Sequence, residues 1–316
     1  MTDQPTSTVA GFNIREGDSR LVSVCCDVVL YTGQDLSAIP RSVLHIYEKF
    51  LSLCPPGVLR WYATENMTRH KACTPRALDM LRGWLRPGAL PRDVLSIELK
   101  DGARYDDASE HSFFVWGEEQ GYPGYGVDAN VVRCAFPARW AMEKPGELLA
   151  FAVDACEHFP FHSGHAGFAL SLSPYHQEKS DRAAWGLSIQ HPGLDISRSV
   201  VDSVALRREG IKGVNWLTML GREFADRLGG IKALRQQLTD SVGVLPVTAG
   251  VILQAGPAPL WGHVNRGELL PDYRSVYNAV ASLQEPIIER YGALDLPGGD
   301  HRDKTKMWLR RFANGG

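Results

Sequence analysis

The 316-residue chain lacks an excess of charge of either sign: 34 Lys and Arg stand against 36 Asp and Glu, a formal net charge of −2. Sequence-independent DNA or RNA binding rests on many basic groups neutralising phosphates, so this balance excludes that class. Cysteine is scarce and unpatterned. The six, at positions 25, 26, 54, 73, 134 and 156, form no Cys-x-x-Cys pair, which excludes a finger-type zinc module and a disulfide-stapled mini-protein. Long uninterrupted apolar runs are also missing. Residues 241–265 carry no Asp, Glu, Lys or Arg, yet Pro246, Gly250, Gly256, Pro257 and Pro259 break the segment. Two buried strands and a Pro/Gly loop fit it better than a membrane span. Met1 to Thr8 have neither the basic nor the apolar region of a secretory leader, so reduced thiols and a cytoplasmic location are expected. No Gly-x-Ser-x-Gly, His-Glu-x-x-His or Gly-Lys-Ser/Thr sequence occurs, so the common hydrolase, metalloprotease and nucleotide-binding signatures are missing.

What is present is the composition of a folded globular protein, 44% hydrophobic and 22% charged. Residues 1–20 are polar and aperiodic and read as a flexible N-terminal tail. A long β-rich run follows at 21–31, then a helix from about residue 37 with Ile39, Val43, Ile46, Tyr47 and Phe50 at helical spacing. Residues 58–63 read as a short strand. Thr74-Pro75 opens a helix that Pro87-Gly88 ends. Strands are expected at 94–100, 112–116 and 130–136, with a turn-rich loop at 121–126, and Pro145 opens another helix. Later come a strand near 166–172, a helix around 178–187, a strand at 214–220 and helical faces on either side of Gly229-Gly230. A strand at 247–254 and a helix through 273–280 follow. Strands and helices mix without strict alternation. This predicts an α+β fold of mixed, largely antiparallel sheet packed with helices, in one compact unit over 21–316, with lobes at 21–140 and 141–316 as a further option.

The charge is unevenly spread. Nine carboxylates lie between Asp93 and Asp128, against Lys100 and Arg104 alone. An acidic surface there would attract a basic partner, and a solvated face is the plain alternative. Asp101, Asp106, Asp107, Glu110, Glu118 and Glu119 are accordingly candidates for partner binding. Trp216 and Trp261 join them, because ring systems beside rigid Gly/Pro turns make good interface anchors. Two catalytic readings compete. Asp93, Glu98 and Lys100 echo the acid pair and lysine of magnesium-dependent nucleases, but they are too close in sequence to lie on two strands. His158, His162 and His165 crowd beside Cys156, but Pro160 interrupts the helix that would align them. No catalytic residue, metal or cofactor is therefore expected.

Several motifs in one order carry a resemblance. His191-Pro-Gly-Leu-Asp195, Gly213-Val-Asn-Trp-Leu-Thr218, Leu228-Gly-Gly230 and Gln254-Ala-Gly-Pro-Ala-Pro259 resemble the type VI secretion immunity family, the TsiT-like proteins. Gly121-Tyr122, Arg133, Phe136-Pro137 and the run Phe161 to Gly167 are similar to the middle region of that family. The resemblance spans about residues 20 to 290. It implies a non-enzymatic antidote that binds a cognate secreted effector, similar to restriction-endonuclease-like DNases, and so protects the producing bacterium. The expected partner is that toxin, with neither direct nucleic acid nor membrane contact. The rival readings are a metal-dependent hydrolase or nuclease and a structural component of the secretion apparatus. Oligomeric state stays open.

Overall fold

The computed structural model describes residues 13–90, 92–119, 129–291 and 301–313. The centre of the architecture is one strand, β2 (Ser19–Thr32), whose fourteen residues are buried almost throughout. Its even positions from 22 to 30 (Val22, Val24, Cys26, Val28, Leu30) are all apolar, whereas the odd ones include Ser23, Cys25, Asp27 and Tyr31. Because successive side chains leave a strand on opposite faces, β2 has a greasy face and a mixed one, and both are covered.

The strands in chain order are β1 (Ile14–Glu16), β2, β3 (Trp61–Thr64), β4 (Lys71–Ala72), β5 (Val94–Lys100) and β6 (Ser112–Glu118). There follow β7 (Asn130–Pro137), β8 (Ser163–Leu172), β9 (Asp195–Ile196), β10 (Leu217–Gly221), β11 (Val242–Val247) and β12 (Gly250–Ala255). The helices are α1 (Pro40–Leu53), α2 (Pro75–Trp84), α3 (Ala138–Glu143), α4 (Pro145–His158) and α5 (Gln177–Ser188). The rest are α6 (Ser199–Leu206), α7 (Arg222–Arg227), α8 (Gly230–Gln237), α9 (Pro271–Ile288) and α10 (His301–Leu309). The strands form one twelve-stranded sheet in the order β11-β12-β10-β8-β2-β7-β6-β5-β3-β4, with β1 on β2 and β9 on β8. Every pairing is antiparallel except β8 with β9. The sheet takes strands from both sides of residue 140, since β2 pairs with β7 and with β8, and the largely antiparallel α+β unit is single and compact.

Register shows which helices cover which face. Cys26 lies opposite Phe136, and Phe136 packs its ring on Phe50 of α1 and Phe151 of α4 at 5.4 and 5.1 Å between centroids. The greasy face is therefore under α1 and α4. On the other face, Tyr31 donates its hydroxyl to Asp202 of α6 at 3.2 Å. Thr74 caps α2 by accepting from the Ala77 amide at 3.2 Å, ahead of Pro75 in the first turn, as its sequence leads one to expect.

Most expected elements appear, several shifted by a few residues. Residues 14–16 and 19–20, read as part of the tail, form β1 and the start of β2; residues 1–12 and the expected loop at 121–126 lie outside the described residues. The uncharged 241–265 segment is the β11–β12 hairpin and a Pro/Gly loop. Helices α3, α6 and α10 are not announced by the sequence pattern. Among the described residues no helix is long and apolar enough to cross a membrane.

Candidate partner-binding surface

The acidic residues 101–110 form the connection between β5 and β6, and the chain folds them back onto the first residues of β2. Asp101 accepts from the Glu110 and His111 amides at 3.0 and 2.9 Å, with the Arg20 guanidinium 3.6 Å away. Asp106 accepts from Ser19 at 2.8 Å and from Arg104 at 3.0 Å. Burial opposes its charge, but hydrogen bonds from Arg104, Ser19 and His176 outweigh that and hold its carboxyl at about 2. Asp107 accepts from the amides of Arg20 and Arg104 at 2.8 and 3.0 Å, and Glu110 meets Arg20 at 3.1 Å. Asp106, Asp107 and Glu118 are buried, and the Glu118 amide donates to Asn130 at 3.0 Å. Glu119 alone of the six is exposed. The expectation of a segment with few basic neighbours is thus corrected: Arg20 comes from some eighty residues upstream, and the carboxylates mainly hold the hairpin connection in shape.

The nuclease-like trio does not assemble either. Lys100 is only 1% exposed and donates to the Asp107 carbonyl at 2.6 Å. Glu98 meets His70 at 2.9 Å. Burial opposes its charge, yet the bond to His70 and the fields of His70, Lys100 and Arg133 bring it to about 2. Asp93 is exposed at the far end of β5. A cleft of about 380 Å³ opens beside Glu98, lined also by Arg133, Asp181 and Arg198. Its charges are matched within the chain: Arg133 with Asp27 at 3.0 Å, and Arg198 with Asp181 at 3.5 Å.

The histidines beside Cys156 point to three different places. His158, at the end of α4, stacks on His45. His162 sits edge-on to Phe224. His165, in β8, lies 3.4 Å from Asp195. Asp195 belongs to a buried charge cluster that sequence reading missed. Lys212 donates to Asp195, Asp202 and the Ile196 carbonyl at 2.6, 3.0 and 2.7 Å, and Arg311 approaches Asp195 at 3.7 Å. Burial works against the Lys212 ammonium, but the two carboxylates outweigh it and push its pKa up. Asp195 is pushed down by Lys212, His165 and Arg311 against the same burial effect. No periodicity or motif announces such a cluster, because its members lie in four different elements and loops.

The two tryptophans part company. Trp216 is wholly buried, and its indole N–H donates to the Gly256 carbonyl at 3.0 Å. The exposed ring expected at 216 is therefore corrected to a core residue. Trp261 is half-buried, its ring 4.8 Å from that of Phe168. It stands in a platform made of two loops, 189–194 and 257–269. The Gly193 amide donates to the Trp261 carbonyl at 2.9 Å, the Val264 amide to the Gln190 carbonyl at 2.9 Å, and His191 Nδ1 lies 2.6 Å from the Gly262 carbonyl. A Cβ at residue 193 would fall 2.0 Å from the Leu260 carbonyl oxygen, so only glycine permits this approach. From the platform project Ile189, Leu260, Val264 and Leu269, 46, 45, 55 and 61% exposed. The only signal of these residues in the sequence is their apolar character inside turn-rich, aperiodic stretches.

The platform loops and ten of the twelve strands, β3 to β12, fall inside the match to a known family. The sequence model TsiV, described as type VI immunity for VRR-NUC, matches residues 42–312. The chain belongs to this immunity family. A TsiV protein is an immunity protein against a VRR-NUC nuclease toxin of type VI secretion, and the chain is one such protein. Its structure is similar to that of the Pseudomonas aeruginosa T6SS protein PA0821, at 25% identity and a TM-score of 0.80, over 94% of this chain and 83% of that one. No curated protein matches it. The Lys212 cluster and both loops of the platform lie within the TsiV region, whereas β1, β2 and the first two residues of α1 precede it.

Proposed function

We propose that this TsiV protein neutralises its nuclease by stoichiometric binding, without catalysis and without touching nucleic acid or membrane, in the cytoplasm where the toxin would meet DNA. The observation that carries this reading is the platform: four exposed aliphatic side chains on two loops locked to each other by backbone hydrogen bonds. Rigid side chains lose little freedom on docking, and apolar side chains left exposed on a rigid surface mark an interaction site. The catalytic alternatives find no such support, because Lys100, Glu98 and His165 are each engaged in ion pairs or hydrogen bonds of the fold, and His158, His162 and His165 point to different places. The carboxylates of 101–110 serve, at most, to shape the field that steers the encounter, with Glu119 as their exposed member.

Titrating the cognate nuclease with the protein tests this. DNA cleavage should fall linearly to zero near one equivalent, independently of incubation time, whereas a catalytic antidote would act at substoichiometric levels and increasingly with time. Leu260→Asp with Val264→Asp should weaken binding by ~2–4 kcal/mol, the range of interface hot spots, with the melting temperature unchanged. Full affinity in that double variant would place the docking surface elsewhere.

A further inference from the structure

His45, Asp154 and His158 form a group of metal-binding side chains away from the platform. His45 stands on α1, whose buried face is Val43, Ile46, Tyr47 and Phe50. Asp154 and His158 are one helical turn apart on α4, so they share a face. Packing of α1 against α4 brings the three together. His45 Nε2 lies 2.8 Å from Asp154 Oδ2, and the two imidazoles stack with centroids 3.9 Å apart. One ring nitrogen from each histidine and one carboxylate oxygen all lie within 4.8 Å of one another, the only such group among the described residues. All three remain partly accessible, with side-chain exposures of 35, 30 and 51%.

We propose that this group binds a divalent transition-metal ion, Zn²⁺ in the first instance, as a clamp between α1 and α4. Two imidazoles and one carboxylate are a zinc donor set, and the fourth tetrahedral position stays open to water or to a ligand from outside the chain. Ligand nitrogens and oxygens sit ~2.0–2.2 Å from zinc. A metal between His45 and Asp154 therefore replaces the proton they now share and needs their contact to widen only slightly. His158 already has one orientation fixed: its Nδ1 lies 2.9 Å from the Asp154 carbonyl oxygen. A ring so held by a backbone carbonyl has its tautomer set for ligation through the other nitrogen. The apolar faces of α1 and α4 also meet on Phe136 through Phe50 and Phe151, so the ion would be a second link between helices that the core already joins. The clamp adds to a fold that is already complete.

The test uses the full chain, stripped with chelator, and reads two signals. Co²⁺ should give one saturable set of visible absorption bands, displaced by Zn²⁺, and Zn²⁺ should raise the melting temperature. Loss of an outer partner of a metal ligand typically costs ~10–100-fold in affinity, so His45→Gln and His158→Gln, which remove ligands outright, should each weaken binding at least ~tenfold. Their metal-free melting temperatures should match the parent, and the control His176→Gln, which alters a pair with Asp106 outside this group, should bind like the parent. Absence of saturable binding, or binding that survives both ligand substitutions, would overturn the proposal. If one variant fails to fold, the other decides.

Discussion

Consider Lys212→Met. The side chain keeps its length and apolar stem but loses an ammonium that is 3% exposed and uses all three of its hydrogens, on Asp195, Asp202 and the Ile196 carbonyl. Two buried carboxylates then face one guanidinium, Arg311, instead of two cations. Breaking a buried ion pair by removing one partner usually costs ~3–5 kcal/mol. Both carboxylates keep some help: Asp195 has His165 at 3.4 Å and Arg311 at 3.7 Å, and Asp202 accepts from the hydroxyls of Tyr31 and Tyr291. The lower end of the range is therefore expected, about 3 kcal/mol, a large share of the ~5–15 kcal/mol that holds a typical protein folded. Urea unfolding followed by circular dichroism at pH 7 measures it. The companion Asp202→Asn, made in the Lys212→Met background, removes the surplus charge and should recover part of the loss, so the two substitutions should be clearly non-additive. A single-variant cost below about 1 kcal/mol, or strict additivity in the pair, would refute the claim that the cluster is held by mutual neutralisation.

Two further outcomes follow from groups named above. Burial, with the Arg208 charge adding to it, lowers His162 to about 4, so the unfolded chain, whose histidines titrate near ~6.5, binds a proton that the folded one refuses. The resulting stabilisation is complete above pH 6.5 and is lost as pH falls towards 4, roughly 1.4 kcal/mol per pH unit; His162→Phe should flatten the parent's stability slope in that window. Asp107→Ala leaves the amides of Arg20 and Arg104 without their acceptor and should cost about 2–3 kcal/mol in urea unfolding, against the ±0.5 kcal/mol typical of a surface carboxylate.

Those last two residues show what a sequence can and cannot reveal here. Strands β5, β6 and β7 were legible because their runs of β-branched and aromatic residues are bounded by turn residues, a local property. The 241–265 segment was legible because proline and glycine break an uncharged run at fixed places. Asp107 was not, because counting charges within a window finds Lys100 and Arg104 but not Arg20, whose amide and guanidinium arrive through the pairing of distant strands. Trp216 looked like a loop anchor for the same reason: its neighbours are turn-rich, and only the return of Gly256 to its indole N–H makes it core. Helix α6 escaped because its valines and serines are weak helix formers, and its place is fixed by Asp202 in the charge cluster. The candidate platform was half visible. Its loops carry the family's motifs, but which of their residues face outward is decided by the hydrogen bonds between them.

The position of β2 in the sheet also bears on timing. This central strand is synthesised well before its two long partners, Val28 pairing with Cys134 on one side and Ala166 on the other. Ribosomes add about 5–20 residues per second, so between Thr32 and Pro137 the strand waits roughly 5–20 s with only the short β1 beside it, and longer for β8. A sheet dominated by such distant pairings closes slowly once the chain is finished. An unfinished chain therefore lacks the closed sheet from which the platform loops extend. Defence against an incoming nuclease depends on a standing reserve of folded molecules made before the attack, and the rate at which that reserve is degraded and diluted by growth sets how long a cell stays immune after synthesis stops.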